Sequence, residues 1–112
     1  MKEKKRKGRT RINLTIIASS PPISPDARIT NLSATGAFIT SLQTLPADSQ
    51  VAIDFQLPGH SETMSLNARV IWTEPASFAA PGGMGIEFTN LLPKHQEKLA
   101  AFIEQNSRPE SS

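Results

Sequence analysis

Hydrophobic and polar positions alternate along most of the chain, which is the pattern of β-strands with one buried face. The clearest case is segment 51–57, whose apolar residues share one face: Val51, Ile53, Phe55 and Leu57. The next segment continues the pattern up to Trp72, with four more apolar residues on one face: Met64, Leu66, Ala68 and Val70. We therefore predict two long neighbouring strands that contribute one side to a common core.

Shorter strands are predicted on either side of this pair, at 12–18, 28–32, 37–40 and 86–88, and turns rich in Pro, Gly and Ser separate them. We interpret the run Gly82-Gly83-Met84-Gly85 as a flexible lead into the last strand. About six short strands at this spacing indicate a sandwich or a barrel. A barrel is favoured because it removes the exposed strand edges of so small a sheet.

The periodicity changes near the end of the chain, where segment 94–106 contains neither Pro nor Gly. Apolar residues there recur at helical spacing, and Pro93 suits the first turn of a helix. We expect this helix to cover one opening of the barrel through four side chains: Leu92, Leu99, Phe102 and Ile103. The polar tail 107–112 is predicted to be disordered. The predicted fold class is all-β with one C-terminal helix.

Composition narrows the class of protein. The 112 residues are enough for one domain, and with 38% hydrophobic and 20% charged residues the chain should be globular. The absence of cysteine excludes disulfides, thiolate-bound metal and a thiol nucleophile. Because the sequence shows no membrane span and no signal peptide, we expect a cytoplasmic protein.

Charge is concentrated at the N-terminus. Residues 1–11 hold seven basic side chains and one acidic side chain, a net charge of +6, whereas residues 12–112 carry −4. We therefore divide the chain into a flexible basic arm (1–11), a domain (12–106) and the tail (107–112). The arm could attract phosphates, nucleic acid or an acidic surface, or it could be a solvated terminus that only aids solubility.

The sequence offers little for catalysis or metal binding. His60 lies in a predicted turn and His95 at the predicted helix start, and neither has a Ser, Asp or second His at a useful spacing. The glycine run 82–85 lacks the Lys and Ser/Thr of a phosphate-binding loop. We therefore predict a binding protein rather than an enzyme, with no catalytic residue, no metal site and no cofactor.

A polar motif spans the end of the predicted strand 28–32 and the turn at 33–36 that follows it. Asn31 and Ser33 are two residues apart in an extended segment, so both side chains should lie on the same side, and Gly36 permits a tight, left-handed turn. Two polar side chains beside a turn can also simply cap a hairpin. The residues alone therefore leave open whether this motif binds a ligand.

This motif resembles the (Asp/Asn)-x-Ser-x-x-Gly signature of PilZ domains, which are bacterial receptors for cyclic di-GMP. Ala68-Arg69-Val70-Ile71-Trp72 and Gly83-Met84-Gly85-Ile86-Glu87-Phe88 resemble two later motifs of the family, in the expected order. The similarity spans about residues 5–105 and is nearest to the short single-domain PilZ proteins of delta-proteobacteria. It implies a six-stranded antiparallel PilZ-type β-barrel with a C-terminal helix.

The other half of the family's ligand site is an Arg-x-x-x-Arg motif before the first strand. Arg11 matches the second arginine, but Lys7 stands at the position of the first. Lysine binds phosphate as a point charge, whereas the planar guanidinium of arginine also binds a guanine edge with two hydrogen bonds. Arg9 could replace the missing arginine through a shift in register. The resemblance thus implies cyclic di-GMP-binding residues at Lys7, Arg9, Arg11, Asn31, Ser33 and Gly36.

The function implied is a receptor or adaptor whose basic arm orders over cyclic di-GMP and signals to a protein partner in motility, pili or biofilm control. The alternative is a PilZ-fold adaptor that no longer binds nucleotide and acts through protein contacts. A nucleic-acid binder that uses the arm is disfavoured, because only 5% of the residues are aromatic and most of these occupy predicted core positions.

Overall fold

The computed structural model describes residues 9–106, which form seven strands and one helix. Lys7, the rest of segment 1–8 and the predicted disordered tail 107–112 lie outside the described residues. The elements are β1 (Arg9–Thr15), β2 (Ala18–Ser20), β3 (Arg28–Ser33), β4 (Gly36–Thr40), β5 (Gln50–Gln56), β6 (Thr63–Glu74), β7 (Gly83–Phe88) and α1 (Pro93–Asn106).

All seven strands belong to one antiparallel sheet in the order β1-β3-β4-β7-β6-β5-β2, which curls into a half-barrel. The predicted barrel of six strands is therefore correct in class but wrong in strand number. The single strand predicted at 12–18 is two strands, because its first part pairs with β3 and its last part pairs with β5. The first of these strands also starts earlier than predicted, at Arg9.

The inner face of the sheet holds the core. The apolar residues predicted to share the core face of the two long strands are all buried, which confirms that face: Val51, Ile53, Phe55, Leu57, Met64, Leu66, Ala68 and Val70. Ile86 and Phe88 of β7 are buried as well. These residues form one cluster with apolar side chains of β1, β3 and β4. Burial of this shared apolar face is the main force that stabilises the sheet.

The helix begins at Pro93, where the missing N–H of proline costs no intrahelical hydrogen bond. Leu99, Phe102 and Ile103 are buried against the core, as predicted. The prediction for Leu92 is wrong, since its side chain is 51% exposed. Leu92 precedes the helix and is outside its apolar face, and the half-buried Leu91 packs against the core instead.

The helix also contacts the start of the sheet. The buried hydroxyl of Thr10 in β1 donates a hydrogen bond to the carbonyl of Asn106, at 3.3 Å. The first strand is thereby held at the end of α1, directly before Arg11. Within residues 9–106, no helix is both long and apolar enough to cross a membrane.

Candidate functional site

An open depression of about 750 Å³ lies on the outer face of the sheet, across β3, β4, β7 and β6. Four of the residues predicted to bind ligand line it: Arg11, Asn31, Ser33 and Gly36. The structure therefore brings together the second arginine and the polar turn motif, which are about twenty residues apart in the sequence.

Irregularities in strand pairing shape this depression. The register shifts between Arg11 and Leu14 in β1, between Ile29 and Asn31 in β3, and between Val70 and Trp72 in β6. One residue from each irregular stretch lines the depression: Ile12, Thr30 and Ile71. Bulges of this kind redirect side chains and are common beside functional sites.

Arg11 and Asn31 lie opposite each other on β1 and β3. Side chains at opposed positions share one face of a sheet, so the guanidinium and the amide are neighbours at the edge of the depression. Within residues 9–106, neither side chain has a hydrogen bond or an ion pair. Because neither group has a partner among the described residues, a permanent cation and an amide are available to a ligand with anionic and hydrogen-bonding groups.

Ser33 has a structural role in the turn between β3 and β4. Its Oγ accepts hydrogen bonds from the backbone N–H groups of Thr35 (3.2 Å) and Gly36 (3.0 Å). The hydroxyl also donates to the carbonyl of Gly36 at 3.2 Å. The hairpin-capping role therefore applies to Ser33, whereas the Asn31 side chain makes no such contact with any described residue.

Gly36 is required for close packing rather than for a left-handed turn. Gly59 is the glycine with positive φ among the described residues, and Gly36 does not share that conformation. A Cβ added at Gly36 would instead collide with the backbone carbonyl of Ile86 on β7. Gly36 thus does not use the left-handed conformation that it permits, and the glycine allows β4 to approach β7 at the end of the depression.

Two aromatic side chains line the depression and were not predicted to belong to the site. The rings of Phe38 and Trp72 have centroids 5.2 Å apart, with an angle of 31° between their planes. The Trp72 side chain remains 47% exposed, although strict alternation after Val70 would have placed it in the core. The register shift at Ile71 moves it to the outer face, and the sequence pattern gave no signal of that shift.

The glycines of β7 make room for these rings. A Cβ at Gly85 would collide with the indole of Trp72, and a Cβ at Gly83 would lie 2.5 Å from the Phe38 ring. The interpretation of 82–85 as a flexible lead is therefore wrong, since Gly83 and Gly85 are paired residues of β7. Because these glycines have no side chains, the two rings pack directly against the backbone of β7.

Acidic residues also border the depression. Glu87 accepts a hydrogen bond from Arg69 Nη2 at 3.1 Å, and Arg69 Nη1 contacts Asp48 at 2.9 Å. The Glu74 side chain has neither a hydrogen bond nor an ion pair within the described part of the chain. Within residues 9–106, the depression is therefore lined by an ion-paired carboxylate, Glu87, and by two charged side chains without partners, Glu74 on β6 and Arg11 on β1.

Of the two remaining predicted ligand-binding residues, Arg9 and Lys7, only Arg9 lies within the described residues. Arg9 is the first residue of β1, and its backbone lies opposite Ser33. Lys7 lies outside the described residues. The ligand-binding roles of Lys7, Arg9 and Arg11 therefore stay predictions.

Neither histidine belongs to the depression. His95 accepts a hydrogen bond from the backbone N–H of Leu92 at 3.3 Å through Nδ1, so it caps the start of α1. His60 lies near His95 in a separate small hollow of about 70 Å³. Between residues 9 and 106, no group of three or more His, Cys, Asp or Glu side chains is arranged to hold a metal ion.

The fold and the depression define a small β-domain with a candidate binding surface on the outer face of its sheet. Residues 3–105 match the family model described as the PilZ domain, and the chain belongs to this family. No curated protein matches the chain.

The fold is similar to a solved structure of the Bacillus subtilis inhibitor of motility, MotI/DgrA. The TM-score is 0.76 at 16% sequence identity, over 92% of this chain and 51% of the other. This chain thus spans about half the length of that protein, and at this identity the likeness concerns the fold alone.

Proposed function

We propose that this chain binds cyclic di-GMP in the depression on the outer face of the sheet and acts as a receptor or adaptor that signals to a protein partner. The PilZ family assignment and the motility-related structural neighbour support a role in motility, pili or biofilm control. The proposal concerns binding rather than catalysis.

One observation carries the proposal: a guanidinium and an amide, both without partners in the described part of the chain, line the same depression as the Phe38–Trp72 aromatic pair. Cyclic di-GMP has two phosphate charges and two guanine bases. Arg11 can bind a phosphate or the O6/N7 edge of guanine, and Asn31 can donate and accept at a base edge. Trp72 offers a face on which a guanine can stack.

The dimensions of the site also suit a ligand with two separated parts. From β3 to β6 there are three interstrand steps, which amount to roughly 14 Å at the usual spacing. A ligand that contacts Asn31 at one edge and Trp72 at the other must bridge this width. A cyclic dinucleotide carries bases on opposite sides of a phosphate-containing ring and can do so.

The basic arm supplies the change that a partner would recognise. In the proposed mechanism, Lys7 and Arg9 add charge and donors above the bound nucleotide, and the part of the arm that precedes β1 becomes ordered over it. Ordering of a segment on binding is a common switching mechanism. The partner would bind the ordered arm or the surface that the arm forms with the ligand.

Calorimetric titration of the full chain with cyclic di-GMP tests the proposal directly. Replacement of Arg11 by Ala is expected to lose at least about 2 kcal/mol, near thirtyfold in affinity, as for loss of a charged hydrogen-bonded contact. Arg28→Ala is the matched control. Arg28 is also an exposed arginine, but it donates to Thr15 Oγ1 and is not among the residues that line the depression.

A second pair of variants tests whether a base stacks on the aromatic pair. Trp72→Ala should weaken binding by about 1–3 kcal/mol if a base stacks on the indole. Phe78→Ala should have no effect, because Phe78 is fully exposed and does not line the depression. Equal binding by wild type and Trp72→Ala would exclude the stacking role.

Asn31→Ala and Ser33→Ala should weaken binding less than Arg11→Ala, because neutral hydrogen bonds contribute less than charged ones. The two substitutions should differ in another respect. Ser33→Ala also removes hydrogen bonds within the turn, so it should lower the free energy of unfolding, whereas Asn31→Ala should leave it nearly unchanged.

Lys7→Arg tests the departure from the family motif, since it restores the arginine spacing at constant net charge. Tighter binding by the variant would identify the missing guanidinium as a limit on affinity. Equal binding by both forms would indicate that Arg9 supplies it, and Arg9→Lys should then be the damaging change.

A nucleotide-independent adaptor is the second candidate function. It is favoured by Lys7 in place of arginine and by the Ser33 hydroxyl, which the turn already uses. No binding by wild type or Lys7→Arg, at cyclic di-GMP concentrations well above physiological ones, would reject the receptor and leave this adaptor.

A further inference from the structure

Glu74 is an unusual neighbour for an anion-binding site. It lines the depression, it is exposed, and it lacks an ion pair among residues 9–106, whereas Glu87 is bonded to Arg69. An unpaired carboxylate repels a dianionic ligand. Glu74 should therefore weaken binding unless it meets a part of the ligand that carries hydrogen-bond donors.

A base stacked on Trp72 would bring hydrogen-bond donors close to Glu74. Trp72 lies opposite Gly85 and Glu74 lies opposite Gly83, so they are two residues apart on the same strand. Both line the depression, which places their side chains on one face about 6.6 Å apart along the strand. A planar base stacked on the indole would therefore present an edge toward the carboxylate.

The chemistry of that edge distinguishes the bases. The Watson–Crick edge of guanine presents two adjacent donors, N1–H and N2–H. The corresponding edge of adenine presents the N1 lone pair next to one donor. An ionised carboxylate can only accept hydrogen bonds, so its two oxygens match the two donors of guanine and repel the adenine N1. Such charge-assisted hydrogen bonds are stronger than neutral ones.

We propose that Glu74 binds the donor edge of a guanine stacked on Trp72 and thereby selects guanine over adenine. This inference rests on the proposed cyclic di-GMP function and names a specificity residue outside the Lys7–Arg11 and Asn31–Gly36 motifs. It assigns different tasks to the two edges of the site. Arg11 supplies the positive charge at β1, and Glu74 supplies base selectivity at β6.

The test compares cyclic di-GMP with cyclic di-AMP, titrated into the full chain by calorimetry. Wild type should prefer cyclic di-GMP by at least about tenfold, the ratio that 1.4 kcal/mol produces. Glu74→Ala should lower the affinity for cyclic di-GMP by about tenfold and should leave or improve that for cyclic di-AMP. Glu74→Gln should lose affinity too, because its amide can accept from only one of the two donors.

Glu97→Ala is the matched control, since Glu97 is an exposed glutamate of α1 away from the depression, and it should change neither affinity. Because the Glu74 side chain is exposed and has no partner among residues 9–106, its variants should unfold like wild type, and a thermal melt verifies this. Tighter cyclic di-GMP binding by Glu74→Ala, or an unchanged ratio between the nucleotides, would overturn the inference alone. A wild type that binds neither nucleotide would overturn the proposed function as well.

Discussion

The two faces of the sheet differ most clearly along β6. From Met64 to Val70, buried and exposed side chains alternate without interruption, and every second residue enters the core. Beyond Val70 the register shifts, and Ile71 and Trp72 are both partly exposed. The same strand therefore builds a regular core in its first half and the wall of a depression in its second half.

This difference reflects two physical requirements. A core needs continuous close packing, and strict alternation delivers one apolar side chain per two residues to the same side. A binding depression needs side chains of mixed chemistry in one place, and bulges redirect them without new secondary structure. The irregularities in β1, β3 and β6 all border the depression, whereas the β5–β6 pairing is regular.

The largest expected effect tests the regular inner face. Phe55 has no exposed surface, and Phe55→Ala should lower the free energy of unfolding by about 3–5 kcal/mol because it leaves a cavity. The matched control is Phe78→Ala, which removes a fully exposed ring and should change the free energy by less than about 0.5 kcal/mol. A loss under about 1 kcal/mol for Phe55→Ala in urea unfolding would contradict the assigned core face.

The regular face was predictable because alternation is a local signal. The apolar positions of β5 and β6 and of the helix identified most of the core directly from residue type and spacing. The division of the first strand was not predictable in this way. Segment 12–18 has one continuous pattern, and only the position of β3 and β5 on opposite sides of the curled sheet decides where it changes partners.

The helix offers the next test, since two leucines of similar predicted role differ in burial. Leu99 is fully buried, and Leu99→Ala should lower the free energy of unfolding by about 2–5 kcal/mol. Leu92→Ala should cost less than about 1 kcal/mol, because this side chain keeps half of its exposed surface. Equal losses for the two variants in denaturant unfolding would show that Leu92 packs as the sequence predicted.

A substitution at Gly36 tests the close approach of β4 and β7. Gly36→Ala introduces a methyl group against the Ile86 carbonyl, and it should cost about 1–3 kcal/mol through separation of β4 from β7. The exposed neighbour Thr35 is a suitable control, since Thr35→Ala should remain within about 0.5 kcal/mol of wild type. Faster amide hydrogen exchange along β4 and β7 in Gly36→Ala alone would localise the effect. Unchanged stability and exchange would argue against the close approach.

The candidate site was predictable only where its residues form a sequence motif. Asn31, Ser33 and Gly36 are near neighbours in the chain, and the structure places them at one end of the depression. Phe38, Trp72 and Glu74 could not be assigned to it from the sequence. Their exposure depends on a bulge and on two glycines of another strand, which are properties of strand pairing rather than of local pattern.

The smallest expected effect concerns the ion pairs at the end of the depression. Arg69 contacts Asp48 and Glu87, but its side chain is 42% exposed and the two carboxylates are more exposed still. Exposed pairs contribute little because water and salt screen them, so Arg69→Ala should cost no more than about 1 kcal/mol. The loss should shrink when unfolding is measured at high salt.

A double-mutant cycle separates the energy of the Arg69–Glu87 ion pair from the energy contributed by packing of the Arg69 aliphatic chain. Arg69→Ala, Glu87→Gln and the double variant should give a coupling energy below about 1 kcal/mol. A coupling energy that exceeds about 2 kcal/mol and persists in high salt would show that the Arg69–Glu87 pair behaves as a buried ion pair. The outer face would then contribute to folding as the inner face does. A small coupling would instead leave Glu87 and Arg69 to set the charge of the depression, with folding driven from the other side of the sheet.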